Sequence, residues 1–487
     1  MTLYTGISIV LLACGIGGRA ASSSDLLRDT TACAEIAASI SSKSGVYYNG
    51  PVYLKDNYHW ASSSSQLSAC SFEPGTTEDL GKALQILGET KTPFAIKSGG
   101  HATNPDVSST SGVQIAMYSF SDITFDSDAQ TVTIGTGNVW DDVYSTLEEY
   151  GVNAVGGKVT GVGVGGITLG GGYSYLTNQY GLAIDNVISY ELVLPNGTVT
   201  TVTSSSDPDL FFGLRGGFNN FGVVTHVTLK THPQGQVWGG RITYSQDQAE
   251  EVNAAIAKFS ANVADPKASM YGTYNYVSGV PIISCMLFYG EPTCPDGIYD
   301  DFLSIKHYDQ DIATRSYSSL IQVEPLNATS GLRAVFHSTA IEEWTESLLD
   351  AAANETLFYG EKLAGIVTTM TYNIRPYLDS IYDHTDIPSA YPDSRERGYS
   401  FLELYYAWTD PSHDDLVYDA VITSCNHLEN LAIAAGQDVR NVVVYPNGAA
   451  PSTPLEDMYG KNLARLQDIK KSVDPDNVMG LAAGWKF

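Results

Sequence analysis

The sequence predicts a mixed α+β fold, and three observations support that prediction. Short β-branched runs and amphipathic helical patterns follow one another in the first 151 residues in a β-α-β-β-α order, without strict alternation. Residues 189–204 have the pattern of a β-hairpin with Asn196-Gly197 at the turn. From about residue 234 to 449, tyrosine-rich strand-like runs alternate with helices, so a second region of mixed structure is expected.

The individual elements follow from local patterns. The first helix is predicted over residues 76–88, where Thr77 can cap the amino end and apolar side chains share one face. A second amphipathic helix is predicted to end at Gly151. Residues 455–473 are predicted to form one helix, closed by Asp474-Pro475. Strands are predicted at 93–98, 112–120, 131–137 and 221–233.

Length and charge exclude several classes of function. A chain of 487 residues is too long for one compact core, so two or three domains or subdomains are expected. The formal net charge of −28 argues against a nucleic-acid partner, because phosphate neutralisation requires clustered lysine and arginine. The same charge disfavours binding to an anionic membrane surface.

Residues 1–21 predict a secretory signal peptide. An apolar run from Ile7 to Ile16 is followed by small residues and a cleavage site near Ala20 or Ala21. The run is shorter than a membrane-spanning helix requires. A buried N-terminal helix is the alternative interpretation. The signal peptide predicts a secreted, extracellular protein.

Cysteine and sequon usage fits such a compartment. Five cysteines remain without the signal segment, so at least one thiol is unpaired. Cys33 and Cys70 flank one N-terminal segment and could form a disulfide, although sequence alone does not fix the pairing. No spacing matches a metal site, so no metal is expected. The candidate N-glycan sites are Asn196, Asn327 and Asn354.

Three glycine-rich stretches indicate one extended ligand. Residues 156–187 contain Gly161-x-Gly163-x-x-Gly166, which matches the dinucleotide fingerprint formally. That fingerprint requires a long helix, which Gly170-Gly171-Gly172 would break, so we reject it. Closely spaced glycines instead let the backbone lie against a planar or phosphate-bearing ligand. Tight loop packing is the alternative, but further glycine clusters at 98–100 and 212–225 favour a single large cofactor.

These motifs resemble a known family. "KSGGHA", "VTGVGVGGITLGGGYSYL", "DLFFGLRGGFNNFGVVT" and the C-terminal "YGKNLARLQDIKKSVDPDNVMG" are similar to the FAD-linked oxidoreductases of the vanillyl-alcohol oxidase group, berberine-bridge-enzyme-like branch, secreted fungal type. The resemblance implies a two-subdomain FAD-binding domain at 22–233 and a substrate-capping domain with an antiparallel sheet and helices at 234–449. Residues 450–487 would then return to the FAD-binding domain.

The resemblance also implies how FAD is held. His101 matches the histidine that bonds covalently to the flavin, and a neutral imidazole is a suitable nucleophile near pH 7. Val159 stands where many relatives carry a second, cysteinyl attachment, so a single attachment through His101 is expected. Val162 matches the small residue associated with oxygen access. The remaining candidate cofactor-binding residues are Lys97, Ser98, Gly99, Gly100, Ala102, Thr160, Gly163, Gly165, Gly166, Gly170, Val224, Asn447 and Asn462.

The catalytic base departs from the family pattern, because Gly448 stands where sugar-oxidising relatives have a tyrosine. Residues 400–410, "SFLELYYAWTD", supply the replacement candidates Glu403, Tyr405 and Tyr406. Strand alternation places Glu403 and Tyr405 on one face and Tyr406 on the other, so only one face can line the site. The alternative is that these tyrosines are ordinary half-buried sheet residues. The lone histidines His59 and His337 are expected to be structural.

The expected function is that of a secreted FAD-dependent oxidase, active as a monomer, which takes a hydride from a small aromatic or polycyclic alcohol and passes the electrons to O2. Loss of the cysteinyl linkage and of the tyrosine base favours an aromatic substrate, and a tyrosine-rich cap suits stacking on its rings. A carbohydrate oxidase with a relocated base is the first alternative. A flavin-binding glycoprotein without turnover is the second.

Overall fold

The computed structural model describes residues 23–324 and 329–487. The predicted signal segment and the sequon at Asn327 lie outside these ranges. Within them, no helix combines the length and apolarity that a membrane crossing requires. The helices are α1 (Ser23–Ser39), α2 (Gly50–Asn57), α3 (Thr77–Thr90), α4 (Trp140–Glu148), α5 (Val164–Gly170), α6 (Thr177–Tyr180), α7 (Pro208–Leu214), α8 (Ala249–Asn262), α9 (Asp300–Ser304), α10 (Tyr317–Ile321), α11 (Glu346–Lys362), α12 (Asp414–Ala434), α13 (Leu455–Tyr459) and α14 (Leu463–Val473).

The strands fall into three main sheets and one short pair. In chain order they are β1 (Gly45–Tyr47), β2 (Cys70–Glu73), β3 (Phe94–Lys97), β4 (Val113–Ala116), β5 (Ile123–Asp126), β6 (Thr131–Gly135), β7 (Val152–Asn153), β8 (Val187–Val193), β9 (Val199–Thr203), β10 (Val223–Lys230), β11 (His232–Pro233), β12 (Val237–Ser245), β13 (Ala268–Val277), β14 (Val280–Tyr289), β15 (Asp309–Arg315), β16 (Arg333–Ile341), β17 (Val367–Arg375) and β18 (Ser400–Trp408).

The first sheet has the order β1-β2-β4-β3, with parallel pairing of β4 to both β2 and β3. Helices α1 and α3 pack beside it around a core that includes Phe72, Leu84 and Ile115. The cap of α3 is Thr76, whose hydroxyl accepts from the Asp79 amide, one residue before the predicted cap at Thr77. The expected disulfide is present and joins α1 to β2 through Cys33 and Cys70.

The second sheet is antiparallel, in the order β5-β6-β10-β8-β9. The predicted hairpin is its β8–β9 edge, and Gly197 adopts a left-handed φ of 85° at the turn. Helix α4 covers the sheet with Trp140 and Leu147, both fully buried. The loops that leave β3 and β6 and the loop that enters β10 lie on the same side as α5, which positions the glycine-rich segments together.

The third sheet has seven antiparallel strands in the order β15-β12-β14-β13-β17-β18-β16. Helices α8, α11 and α12 cover one of its faces and enclose an apolar core that includes Trp344, Leu404 and Tyr406. Its other face is open toward the glycine-rich loops. The predicted antiparallel capping sheet with helices is therefore confirmed.

The C-terminal segment returns to the first two sheets. The predicted single helix over residues 455–473 is wrong, because the chain breaks at Gly460, where φ is 44°, and forms α13 and α14 separately. A Cβ atom at this position would clash with an Asp393 carboxylate oxygen, so the break also accommodates a neighbouring loop. Beyond α14, Ala482 makes a parallel bridge to Phe94 at the edge of β3.

Candidate active site

A cavity of about 700 Å³ lies between the glycine-rich loops and the open face of the seven-stranded sheet. One wall is backbone from residues 98–104 and 158–167, with a contribution from 218–224. The opposite wall is formed by alternate side chains of the sheet, among them Thr273, Asn373, Glu403 and Tyr405. A volume of this size is in the upper half of the range usual for ligand and cofactor sites, about 300–1,000 Å³.

The glycine loops approach each other too closely for side chains. A Cβ atom at Gly99 would lie 2.5 Å from the backbone nitrogen of Gly163. The Ser98 hydroxyl fixes this contact, because it donates to the Thr136 carbonyl and accepts from the Gly165 amide. Helix α5 ends at Gly171, where φ is 127°. The helix that begins within the Gly161 motif is therefore only 7 residues long, which agrees with the rejection of the dinucleotide fingerprint.

His101 directly follows Ser98-Gly99-Gly100, here called the first glycine loop, and lines the cavity. Its ring stacks on Trp60 with centroids 4.5 Å apart and planes 11° from parallel. Burial lowers the pKa of His101 to about 4, so the imidazole is neutral at physiological pH. Its buried Nε2 atom has no hydrogen-bond partner among the described residues. A neutral imidazole with a spare ring nitrogen is suited to bonding with a cofactor.

These features fit FAD. The cavity is lined by residues from three glycine-rich segments, and the close approach of Gly99 to Gly163 leaves no space for a side chain at that point. Near the C-terminus, Trp485 stacks on Phe218 with centroids 6.1 Å apart, and both rings line the cavity. Aromatic rings, glycine loops and a neutral histidine together form a surface for a large planar cofactor.

The side chains of Lys158, Arg375 and Glu403 meet where the glycine-rich loop 156–170, here called the second glycine loop, faces β17 and β18. We call these three ionisable side chains the ionic cluster. The Arg375 Nη2 atom donates to Glu403 Oε2 at 2.5 Å. Although burial opposes it, the Glu403 carboxylate raises the pKa of Arg375 above its usual value. Burial, reinforced by the charge of Arg375, holds the pKa of Lys158 well below its usual value.

Glu403 stands next to the position of the missing tyrosine. A Cβ atom at Gly448 would lie 3.2 Å from Glu403 Oε1 and 3.0 Å from the Ser338 hydroxyl. A tyrosine at 448 therefore could not keep this backbone position without displacing the carboxylate. Glycine at 448 leaves space beside Oε1, the carboxylate oxygen that does not bind Arg375.

The alternation along β18 decides between the candidate tyrosines. Tyr405 lines the cavity with Glu403 and packs on Phe336 and Trp60, with centroids 4.8 Å and 5.7 Å away. Tyr406 faces the helix-covered core, where its hydroxyl lies 2.5 Å from that of Tyr372. Tyr406 is thus separated from the cavity by the sheet itself, and it is not retained as a catalytic candidate.

Most of the predicted cofactor residues do meet in the cavity. They are Ser98, Gly99, Gly100, His101, Ala102, Val159, Val162, Gly163, Gly165, Gly166, Val224 and Asn447. Lys97 and Thr160 line an adjoining open cleft of about 500 Å³, which shares Trp60, Gly99 and His101 with the cavity.

Two of the predicted cofactor residues are placed elsewhere. Gly170 faces the Asn447 amide, with which a Cβ atom would clash, so its glycine is needed for loop packing. Asn462 donates to the carbonyls of Ser389 and Ala390 and lines neither space.

The lone histidines have structural partners. His59 lies between the carbonyls of Asn57 and Ser108, and His337 accepts from the Ala450 amide. In the described part of the chain, no group of three or more histidine, cysteine or acidic side chains could hold a metal ion.

Sequence reasoning missed Lys158 and Arg375. Their positions in the sequence could have indicated them. Lys158 immediately precedes Val159, which stands where many relatives have a cysteine, and Arg375 ends a strand-like run. Lys158 lies inside the glycine-rich stretch 156–187 but is not one of its glycines, and only the packing of this loop on the sheet brings Lys158 and Arg375 together with Glu403.

Comparisons with known proteins agree with this geometry. Residues 68–203 match the FAD binding domain family, and residues 444–484 match the berberine and berberine-like family. An uncharacterized FAD-linked oxidoreductase of Arthroderma benhamiae is 37% identical over 55% of this chain, which spans 54% of that relative. An FAD-dependent monooxygenase of Penicillium roqueforti is 29% identical over 93% of this chain and 92% of its own length.

Solved structures share the fold. The 6-hydroxy-D-nicotine oxidase of Arthrobacter nicotinovorans has a TM-score of 0.74 at 20% identity, covering 90% of this chain and 96% of its own. The xylooligosaccharide oxidase of Myceliophthora thermophila has a TM-score of 0.73 at 20% identity, covering 93% and 97%. The matched domains, the cavity and the glycine loops agree, and the chain is similar to FAD-linked oxidoreductases that combine an FAD binding domain with a berberine-like C-terminal segment.

Proposed function

We propose that this protein is a secreted oxidase that converts an aromatic or polycyclic alcohol to the carbonyl compound and reduces O2 to H2O2. The observation that carries the proposal is the position of the Glu403 carboxylate, on the cavity wall beside Gly448. A carboxylate there can accept the hydroxyl proton in place of the absent tyrosine.

The chain's own residues supply binding, orientation and proton transfer. Bound FAD would supply the hydride acceptor for the alcohol carbon and the route by which electrons reach O2. Glu403 accepts the hydroxyl proton at Oε1, while Arg375 holds Oε2 and fixes the orientation of the carboxylate. The Tyr405 hydroxyl, on the same face of β18, donates to the substrate oxygen. The two wall residues thus hold the hydroxyl group between an acceptor and a donor.

The aromatic lining supports a substrate with rings. Tyr405, Phe336 and Trp60 form one aromatic group on the cavity wall. Tyr173 and Tyr445 form another, with centroids 4.9 Å apart and planes perpendicular. Offset and edge-on contacts with such rings favour a flat aromatic substrate.

We further propose a single covalent attachment of FAD through His101. The neutral imidazole and the absence of a cysteine at Val159 support it. Secretion is supported by the Cys33–Cys70 disulfide and by the exposure of Asn196 and Asn354, the two sequons in the described ranges, which are the proposed glycan sites. We propose a monomer as the active form.

Turnover with a panel of substrates tests the proposal. Purified protein is mixed with benzylic and phenolic alcohols and, in parallel, with mono- and oligosaccharides, and peroxide is measured. Peroxide release with aromatic alcohols is the expected result. Release with sugars alone would establish a carbohydrate oxidase, and no bleaching of the flavin by any substrate under anaerobic conditions would favour a flavin-binding glycoprotein.

A second candidate, monooxygenation, is favoured by one finding. Several curated fungal relatives are named FAD-dependent monooxygenases, among them one from Penicillium terrestre that is 42% identical over 41% of this chain. An oxidase releases both oxygen atoms as peroxide, whereas a monooxygenase places one in the product. Turnover under ¹⁸O2 separates the two, because only a monooxygenase yields ¹⁸O-labelled product.

A further inference from the structure

We propose that Lys158 is a specificity-determining residue that binds a carboxylate group on the substrate. The inference deepens the function proposed above, since it rests on the cavity being the substrate site and names a chemical class for its ligand. It extends the role of the second glycine loop from holding the cofactor to selecting the substrate.

Lys158 lies at the junction of the two cavity walls. It precedes Val159 in the second glycine loop and lines the cavity opposite β17 and β18. Its Nζ atom lies 3.3 Å from the Tyr377 hydroxyl, and 6.0 Å from the ring centroids of Tyr377 and Phe401. In its ammonium form Lys158 has three N–H donors: one is directed at the Tyr377 hydroxyl, and the other two are available for a ligand.

The ionic cluster contains two basic side chains and one acidic side chain. Glu403 is within ion-pair distance of Arg375, while within residues 23–324 and 329–487 no carboxylate lies within 4.0 Å of Lys158 Nζ. When Lys158 takes up a proton, two cations share one carboxylate in a site that excludes much of the solvent. An isolated buried charge is unfavourable unless it is paired, so an anionic ligand group at Lys158 would complete the pairing.

Proton uptake provides a signature specific to this arrangement. The groups that face Lys158 are Arg375 on β17, Glu403 on β18 and the Tyr377 hydroxyl. Burial and Arg375 favour the neutral amine in the free protein. A carboxylate beside Nζ favours the ammonium form, so binding of an anion should draw a proton from solution. A lysine that serves only to brace Tyr377 would not produce this uptake.

Benzoate and benzamide are suitable probes, because they share shape and differ in charge. Their dissociation constants are measured by isothermal titration calorimetry on the flavin-loaded protein, in two buffers of different ionisation enthalpy. Wild type, Lys158→Met and Lys158→Arg are compared, with Lys306→Met as a matched control that removes an exposed lysine outside the cavity lining.

The expected result is at least a tenfold preference of the wild type for benzoate, with net proton uptake. K158M should lose both, K158R should keep the preference without the uptake, and K306M should match wild type. Absence of a benzoate preference in the wild type, or its persistence in K158M, would overturn the proposal. If K158M does not fold, the wild-type preference, its proton uptake and the behaviour of K158R still decide for or against the anion site.

These measurements separate the inference from the proposed function. Ligand binding is read without turnover, so a charge preference that depends on Lys158 supports the anion site even in a protein that releases no peroxide. Conversely, peroxide release with neutral aromatic alcohols and no effect of K158M on benzoate binding would leave the oxidase proposal intact and remove only the anion site.

Discussion

Replacing Glu403 by glutamine tests the proposed chemistry at a single atom. The amide oxygen can still accept from Arg375 at the position of Oε2, so the side chain should keep its orientation. The amide nitrogen then occupies the position of Oε1, beside Gly448, and cannot accept a proton. The substitution therefore removes the base while preserving the size and contacts of the side chain.

The expected magnitude follows from the role of the group. A positioned general base contributes about 10²- to 10⁴-fold to the rate, which corresponds to about 3–5 kcal/mol of barrier. E403Q should slow anaerobic flavin reduction by that factor. Loss of the ionised partner of Arg375 should also lower the free energy of unfolding by about 1–3 kcal/mol.

The assay is stopped-flow absorbance of the flavin after mixing with a substrate identified by peroxide release, with the flavin content of each variant measured first. Glu342→Gln is the matched control, because it removes a carboxylate from an arginine pair, with Arg397, outside the cavity. The reasoning is refuted if E403Q reduces its flavin within threefold of wild type, or if E342Q is slowed equally.

Three further predictions concern the scaffold. Gly99→Ala should lose bound flavin and about 1–3 kcal/mol of folding stability, because its Cβ atom would clash with backbone. Gly235→Ala is the control: its Cβ position has open space around it, so neither the flavin content nor the melting temperature should change. Tyr406→Phe should lower the free energy of unfolding, measured in urea, by about 0.5–1.5 kcal/mol and leave turnover unchanged. A loss of turnover would show that Tyr406 belongs to the active site. Burial lowers the pKa values of His59 and His337 to about 4. The folding stability that their neutral forms contribute is therefore complete above pH 6.5 and is lost as the pH falls toward 4. The double variant His59→Gln/His337→Gln should therefore lose less stability between pH 7 and 4.5 than wild type, and an equal loss would contradict this.

Local sequence patterns were sufficient for α3, for the β8–β9 hairpin and for the cofactor loops. The capped amphipathic pattern of α3, the Asn196-Gly197 turn and the three glycine clusters each have a physical cause within a few residues. The rejection of a dinucleotide helix also rested on local information, because Gly171 and Gly172 have left-handed φ values that end α5.

Long-range packing determined what sequence reasoning could not. The period of two along β18 placed Glu403 and Tyr406 on opposite faces, but only α8, α11 and α12 show which face is the core. Arg375 reaches Glu403 through the register of β17 on β18, in which Arg375 pairs with Phe401. The break at Gly460 depends on a loop that carries Asp393, far away in the sequence.

The attachment of the flavin to His101 is the central claim, and mass spectrometry of a proteolytic digest tests it most directly. The peptide that contains His101 should carry the mass of one FAD, and colour should stay with the protein after acid precipitation. In the His101→Ala variant the flavin should leave with the supernatant. An unmodified His101 peptide in a yellow wild-type preparation would contradict the covalent attachment, and a preparation that contains no flavin would contradict the whole account.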